Sequence, residues 1–319
     1  MAPAAGTGMM RRALFIALSV AMTLGASHAA SAQRVHLLVV NGLAGEPRFR
    51  APFAQAARLL ADSARARWGV ADSSLIVLAD DSLGLARVRR STRSEIAASF
   101  VRLSRRVAPG DVVLVFLNGH GSGEGAGSRV SLPGPDATAA DFAVWLAGFA
   151  RQTVVFVNAA SGSGDFVGAL ARPGRVVVTA TRTAVERNET TFAVPFVRGL
   201  TASTGDTDKD GRVSVLEAFT YARKEVERAY ETDNRMLTEH AVLSDSALAR
   251  ATTFGGSPGS ASPRVAALMT ARRALESRVT ELRARKSTLD PAAYDRELER
   301  LLVEIAEHTQ AIRAAGGRP

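Results

Sequence analysis

The stretch Asp206-Thr207-Asp208-Lys209-Asp210-Gly211-Arg212-Val213-Ser214-Val215-Leu216-Glu217 has carboxylates at its first, third, fifth and last positions, a glycine at the sixth and a serine at the ninth. A hard divalent cation the size of calcium takes about six to eight oxygens at about 2.3–2.6 Å. Asp206, Asp208 and Asp210 offer side-chain oxygens, Arg212 its carbonyl, Ser214 an oxygen through water, and Glu217 a bidentate carboxylate. Gly211 permits the sharp turn among them. The spacing is that of an EF-hand loop, so Ca2+ is the expected ligand of these six residues. The alternative is a metal-free acidic loop that caps the helix after it. Four crowded carboxylates without a cation repel one another, which argues against it. The loop occurs once, and calcium sensors pair two, so a structural site is expected rather than a switch.

A second constellation sits earlier. Val112 to Leu117 is an apolar run that stops at Asn118-Gly119-His120-Gly121, and Val154 to Val157 is another that stops at Asn158-Ala159-Ala160-Ser161-Gly162-Ser163-Gly164. Each reads as a buried strand ending in small residues and one reactive side chain. The carboxyl ends of parallel strands form the ligand crevice of an open sheet. His120 and Ser161 are therefore expected to be neighbours, a base beside a hydroxyl nucleophile. N–H groups near Gly121 and Gly162 would serve as an oxyanion hole. Against catalysis, no acidic residue is placed to orient His120, and Ser163 reads equally well as a cap for the next helix. Position 159 is Ala, so this is not the G-x-S-x-G elbow of α/β-hydrolases.

The elements that must position these groups alternate. Val35–Val40, Ser74–Leu78, the two runs above and Arg175–Ala180 read as strands. Helical spacing of apolar residues appears from Phe53 to about Arg67, over Ser91–Arg106 and over Asp136–Phe149. Strands alternating with helices predict βα units and a largely parallel sheet covered on both faces. Gly121 to Gly127 reads as a mobile glycine-rich loop. Further helices are expected over Thr191–Ala202 and Val215–Glu231. Residues 251–263 read as a linker rich in Gly, Ser, Thr and Pro. Residues 264–319 read as an αα-hairpin, with Leu268, Leu275 and Leu282 on one helix and Tyr294, Leu298, Leu301, Ile305, His308 and Ile312 on the other. Asp290-Pro291 would start the second helix. The hairpin packs on itself or offers a surface for self-association, and His308 is expected to be a packed or rim residue.

The formal charge is +9, carried by arginine, since lysine occurs only at Lys209, Lys224 and Lys286. No basic patch interleaved with aromatics accompanies it, so no nucleic-acid partner is expected. The chain has no cysteine, which excludes disulfides, thiolate metal sites and cysteine nucleophiles. Arg11-Arg12, the apolar stretch Ala13–Ala26 and Ala30-Ser31-Ala32 read as a signal peptide over residues 1–32. Its removal leaves a domain over residues 33–250 with a charge of +7, exported to the periplasm or beyond. No later segment is apolar enough to span a membrane.

With these residues in view, the chain resembles the legumain and caspase peptidases. That pattern is a hydrophobic strand ending in His-Gly and, about forty residues later, another ending in x-Ala-Cys-x-Ser-Gly. Leu114 to Gly121 resembles the histidine block, and Thr153 to Gly164 the legumain cysteine block. Residues 34–245 are covered, and the segments Thr179–Arg182 and Glu186–Glu189 and the calcium-type loop are similar to a bacterial branch of legumain-like proteins. The resemblance implies a caspase-like three-layer α/β sandwich, His120 as general base and a peptide or protein as partner. It departs at the nucleophile, where Ser161 stands in place of cysteine. An alcohol has a far higher pKa than a thiol, and a site built for sulfur seldom activates one. The expectation is a pseudopeptidase that binds peptide, with a hydrolase using Ser161 and His120 as the alternative.

Overall fold

The computed structural model describes residues 33–254 and 263–315. The expected signal peptide, most of the expected linker (255–262) and the last four residues of the expected hairpin lie outside the described residues. The elements run β1 (Val35–Asn41), α1 (Pro47–Ala66), β2 (Leu75–Ala79), β3 (Arg89–Arg90), α2 (Arg93–Ser104), β4 (Val112–Asn118), β5 (Gly121–Ser122), β6 (Arg129–Val130), β7 (Ala137–Thr138), α3 (Ala139–Trp145), β8 (Thr153–Asn158), α4 (Phe166–Leu170) and β9 (Arg175–Thr179). They continue with α5 (Ala193–Thr201), α6 (Val215–Thr232), β10 (Val242–Leu243), α7 (Ser246–Ala251), α8 (Pro263–Ala284) and α9 (Pro291–Ala314).

Seven strands form one sheet in the order β10-β9-β8-β4-β1-β2-β3, all parallel to their neighbours except β10, which runs antiparallel to β9. The central strands read as unbroken apolar runs because both faces are covered. Alternate residues divide between the layers. Leu37, Val39, Leu114 and Phe116 pack with α1, α5 and α6, whereas Leu38, Val40, Val113 and Val115 pack with α2, α3 and α4. This is a three-layer α/β sandwich. β1 leaves through α1 on one face and β4 through α3 on the other, so the connections diverge at the carboxyl ends of these adjacent strands. Such a switch point is where open α/β sheets form their crevice.

Two expectations change here. The glycine-rich loop is built rather than irregular: β5 pairs with β6, and β6 with β7, in a small antiparallel sheet. Gly125 N–H reaches Asp165 at 2.5 Å, which ties this sheet to the turn after Ser161. The first residues of the expected linker belong to the domain. Ala251 ends α7, Thr253 bridges Ser214, and buried Phe254 stacks on Trp68 at 4.9 Å between ring centres. A residue that loses that much apolar surface is held by it, whatever the composition around it.

α8 and α9 form the expected hairpin around Leu275, Val279 and Leu301, with Leu282, Leu298 and Ile305 beside them. Asp290 caps α9 through the Ala293 N–H at 2.9 Å, with Pro291 in the first turn. The half-buried His308 donates to the Glu304 carbonyl of its own helix at 2.9 Å. Buried Arg272 of α8 donates to the Lys209 carbonyl at 2.9 Å, which ties the hairpin to the acidic loop. Among the described residues no helix is long and apolar enough to cross a membrane.

Candidate functional site

His120 and Ser161 both lie at the carboxyl edge of the sheet, just past β4 and β8, as expected. Each is engaged elsewhere. His120 Nε2 lies 3.0 Å from the Ala44 carbonyl. A carbonyl only accepts, so Nε2 carries the proton. Phe49 meets the ring edge-on at 5.0 Å and Phe53 lies 5.5 Å away, so two aromatics and a backbone carbonyl orient the imidazole, not a carboxylate. Ser161 is only 3% exposed, and its Oγ accepts from the Gly121 N–H at 3.3 Å. No hydrogen bond joins Ser161 to His120 among the described residues.

The expected oxyanion hole is also committed. Gly162 N–H donates to the Glu186 carbonyl at 2.8 Å, and Gly121 N–H to Ser161 itself. Ser163 does not cap α4, whose N-cap position is Asp165; its hydroxyl pairs with Thr181 Oγ1 at 3.2 Å. Thr190 donates to the Ala159 carbonyl at 2.6 Å. Segment 181–192 thus stitches the Ser161 turn from outside. Beneath the crevice, Asn41 and Asn118 face each other in register, Asn158 stands opposite Leu117, and each buried amide keeps one atom without a partner.

A residue absent from the sequence reading fixes that segment. Glu239, buried and three residues before β10, accepts the Thr191 and Phe192 N–H groups at 2.8 Å and the Thr191 hydroxyl at 3.1 Å, where α5 begins. Burial raises its carboxyl to about 7, although these hydrogen bonds favour the anion. Next to it, His240 Nδ1 lies 3.0 Å from Glu186, whose carbonyl holds Gly162. No local pattern marks Glu239, because its partners lie more than forty residues earlier in the chain.

In the acidic loop three of the four carboxylates converge. Oxygens of Asp206, Asp208 and Asp210 come within 4.8 Å of one another. Gly211 takes φ +84°, in the left-handed region that glycine occupies without strain. Burial raises the Asp206 carboxyl, and the charges of Asp208 and Glu217 add to the rise. Glu217 is not in the three-carboxylate group. It forms a capping box with Ser214 at the start of α6, and its other oxygen accepts the Thr207 and Asp208 N–H groups at 2.9 and 3.3 Å. Burial pushes this carboxyl up, but the hydrogen bonds from Ser214, Thr207 and Asp208 outweigh it and leave it lowered. The capping function weighed as the alternative is therefore real and coexists with a converging carboxylate trio. The loop has no second EF-type partner among the described residues. Thr253 bridges Ser214, and Val215 N–H donates to the Thr252 carbonyl at 2.9 Å.

No protein-family model and no curated protein matches the sequence. Among solved structures, protein GSU0716 from Geobacter sulfurreducens is similar at 12% identity and a TM-score of 0.41, over 68% of this chain and 97% of that one. At that level nothing about activity passes from one chain to the other.

Proposed function

We propose that the chain is an exported, calcium-binding protein of the caspase/legumain-like kind that has lost peptidase chemistry and works as a peptide- or protein-binding module. The observation that carries this reading is the division of the two catalytic groups. His120 is bonded to the Ala44 carbonyl and Ser161 to the Gly121 N–H, with no bond between them. An alcohol becomes a nucleophile when a base within hydrogen-bond reach, directly or through one water, takes its proton, and here both groups are committed to other partners. The engaged Gly162 N–H supports the same conclusion, since an oxyanion needs free donors. Beside these strand ends a cavity of about 260 Å³, lined among others by Gly42, Ala44, Arg50 and Phe53, is where the peptide would lie.

The calcium part rests on the Asp206, Asp208 and Asp210 trio within a loop of EF-hand spacing. Their residue types fit a hard cation, and their convergence brings like charges together that a cation would neutralise. Arg212, Ser214 and Glu217 complete the proposed ligand set.

A fluorophosphonate probe tests the loss of chemistry. No labelling is expected. Labelling that disappears both in Ser161→Ala and in His120→Ala would establish an activated serine dependent on His120 and overturn the reading.

A further inference from the structure

A groove of about 370 Å³ runs between α6 and the extended stretch 237–243. Neither His120 nor Ser161 lines it. Its accessible apolar lining is Leu216, Leu237 and Leu243, half-buried over the core residues Phe192 and Phe219, and β10 forms one edge. Among the described residues β10 bonds only to β9, so its outer side is a sheet edge. Arg182 stands at the rim, exposed, and its guanidinium makes no ion pair or hydrogen bond among the described residues. Arg223, the other cation in the lining, is engaged by Glu227 at 3.5 Å. Beneath this lining Glu239 accepts the Phe192 N–H at 2.8 Å. Two of the most exposed large apolar residues flank the groove in the chain: Met236 precedes the lining residue Leu237, and Val185 follows Arg182 by three.

We propose that this groove binds an extended peptide that adds to the free edge of β10, seats one apolar side chain against Leu216 and Leu237, and places a carboxylate on Arg182. Each part of the occupant answers a part of the groove. A sheet edge presents backbone groups at strand spacing, which another extended chain satisfies. The volume falls at the small end of ligand sites, about 300–1,000 Å³, enough for one large side chain. An unpaired guanidinium selects a carboxylate, with two N–H groups for its two oxygens. The carboxylate is either the peptide's own C-terminus or an acidic side chain near it.

The proposal rests on the peptide-binding reading and names a different surface for it. The test is fluorescence polarisation on the full chain with a pool of fluorescein-labelled hexapeptides of alternating Thr and Val that end in Leu. One set has a free carboxylate, one a C-terminal amide, and one an amide with Glu before the Leu. Binding of the first set alone assigns the C-terminus, and binding of the third as well assigns an acidic side chain. Arg182→Glu, a change on an exposed side chain, is expected to weaken binding about tenfold or more, a loss of at least about 1.4 kcal/mol. Hydrogen exchange in the complex is expected to show protection over 215–227 and 237–246. Protection confined to 41–53 and 118–131, with Arg182→Glu binding as the parent does, would overturn the groove and leave the module reading intact. No binding by any set would remove both.

Discussion

The strand-end crevice and the acidic loop are made from similar groups and end in opposite states. At the crevice, the Ser161 hydroxyl and the Gly162 N–H find partners inside the chain, and so does the Nε2–H of His120. At the loop, backbone N–H groups also bond the carboxylates, yet three acids of one sign stay within 4.8 Å of one another. Hydrogen bonds satisfy lone pairs; they do not remove charge. A polar site answered from within asks nothing of solvent, and a cluster of like charge asks for a counter-ion. The difference separates groups that the fold satisfies itself from like charges that it leaves crowded.

The largest expected effect sharpens the loop side. Free calcium at about a thousandfold above its Kd stabilises the folded state by about 4 kcal/mol. At roughly 2–4 °C per kcal/mol, the melting temperature should rise by about 8–16 °C on moving from chelator to calcium. Asp208→Asn with Asp210→Asn should abolish that rise while leaving the chelator value nearly unchanged. Glu217 is a poor choice for this test, because its loss also removes the cap of α6. Identical melting of the parent in calcium and chelator would reduce the loop to a helix cap.

The next effect concerns the segment that closes the crevice. Glu239 has its carboxyl raised to about 7 by burial, so the folded state holds the proton more tightly than the unfolded chain. The stability linked to that proton is complete below the ordinary glutamate range and is lost as pH rises through about 7. It is worth up to about 3 kcal/mol. Asp111 and Asp141 are both lowered and act only toward acid, well away from this window. Melting temperature should therefore fall between about pH 5 and pH 8, and Glu239→Gln should flatten the slope even if it lowers the whole curve. An unchanged slope would mean that the Thr191 and Phe192 N–H groups hold an anion, and that a charge fixes the crevice wall.

Smaller again is a steric test of how closely the crevice is stitched. A Cβ at Gly121 would lie 2.3 Å from the Ser161 carbonyl oxygen and 3.0 Å from that of Arg129, both backbone atoms that cannot swing aside. Gly121→Ala should cost about 1–3 kcal/mol in a denaturant titration. Gly168→Ala, where a Cβ meets nothing within 4 Å, is the control and should be near neutral. Equal behaviour of the two would show that β5 does not rest on the Ser161 turn.

How much of this could be read in the chain follows from the range of the forces involved. β1, β4, β8 and β9 were legible because burial on both faces writes an unbroken apolar run. The acidic loop was legible because its ligands lie within one turn of chain. β5, β6, β7 and β10 are two-residue strands with no pattern of their own, and only distant partners define them. The failure at Gly162 has the same source. Its N–H is free in any local reading, and the acceptor that takes it, Glu186, arrives from another segment. Phe254 was assigned to a linker by its Gly- and Ser-rich surroundings, whereas its place was set by Trp68, far earlier in the chain. The pairing of a base with a nucleophile was the least legible point, since residue types and order carry no hydrogen-bond directions.

One bond in the hairpin has a consequence of another kind. Arg272 meets the Lys209 carbonyl at 2.9 Å, while on the near side Thr253 bridges Ser214 of the same loop. Only residues 255–262 separate the body of the domain from the start of α8. Docking of the hairpin is therefore a ring closure, at a local concentration on the order of millimolar set by chain length rather than by how much protein is in the tube. A guanidinium–carbonyl bond of this kind is far weaker between separate molecules, and the tether makes its formation independent of protein concentration.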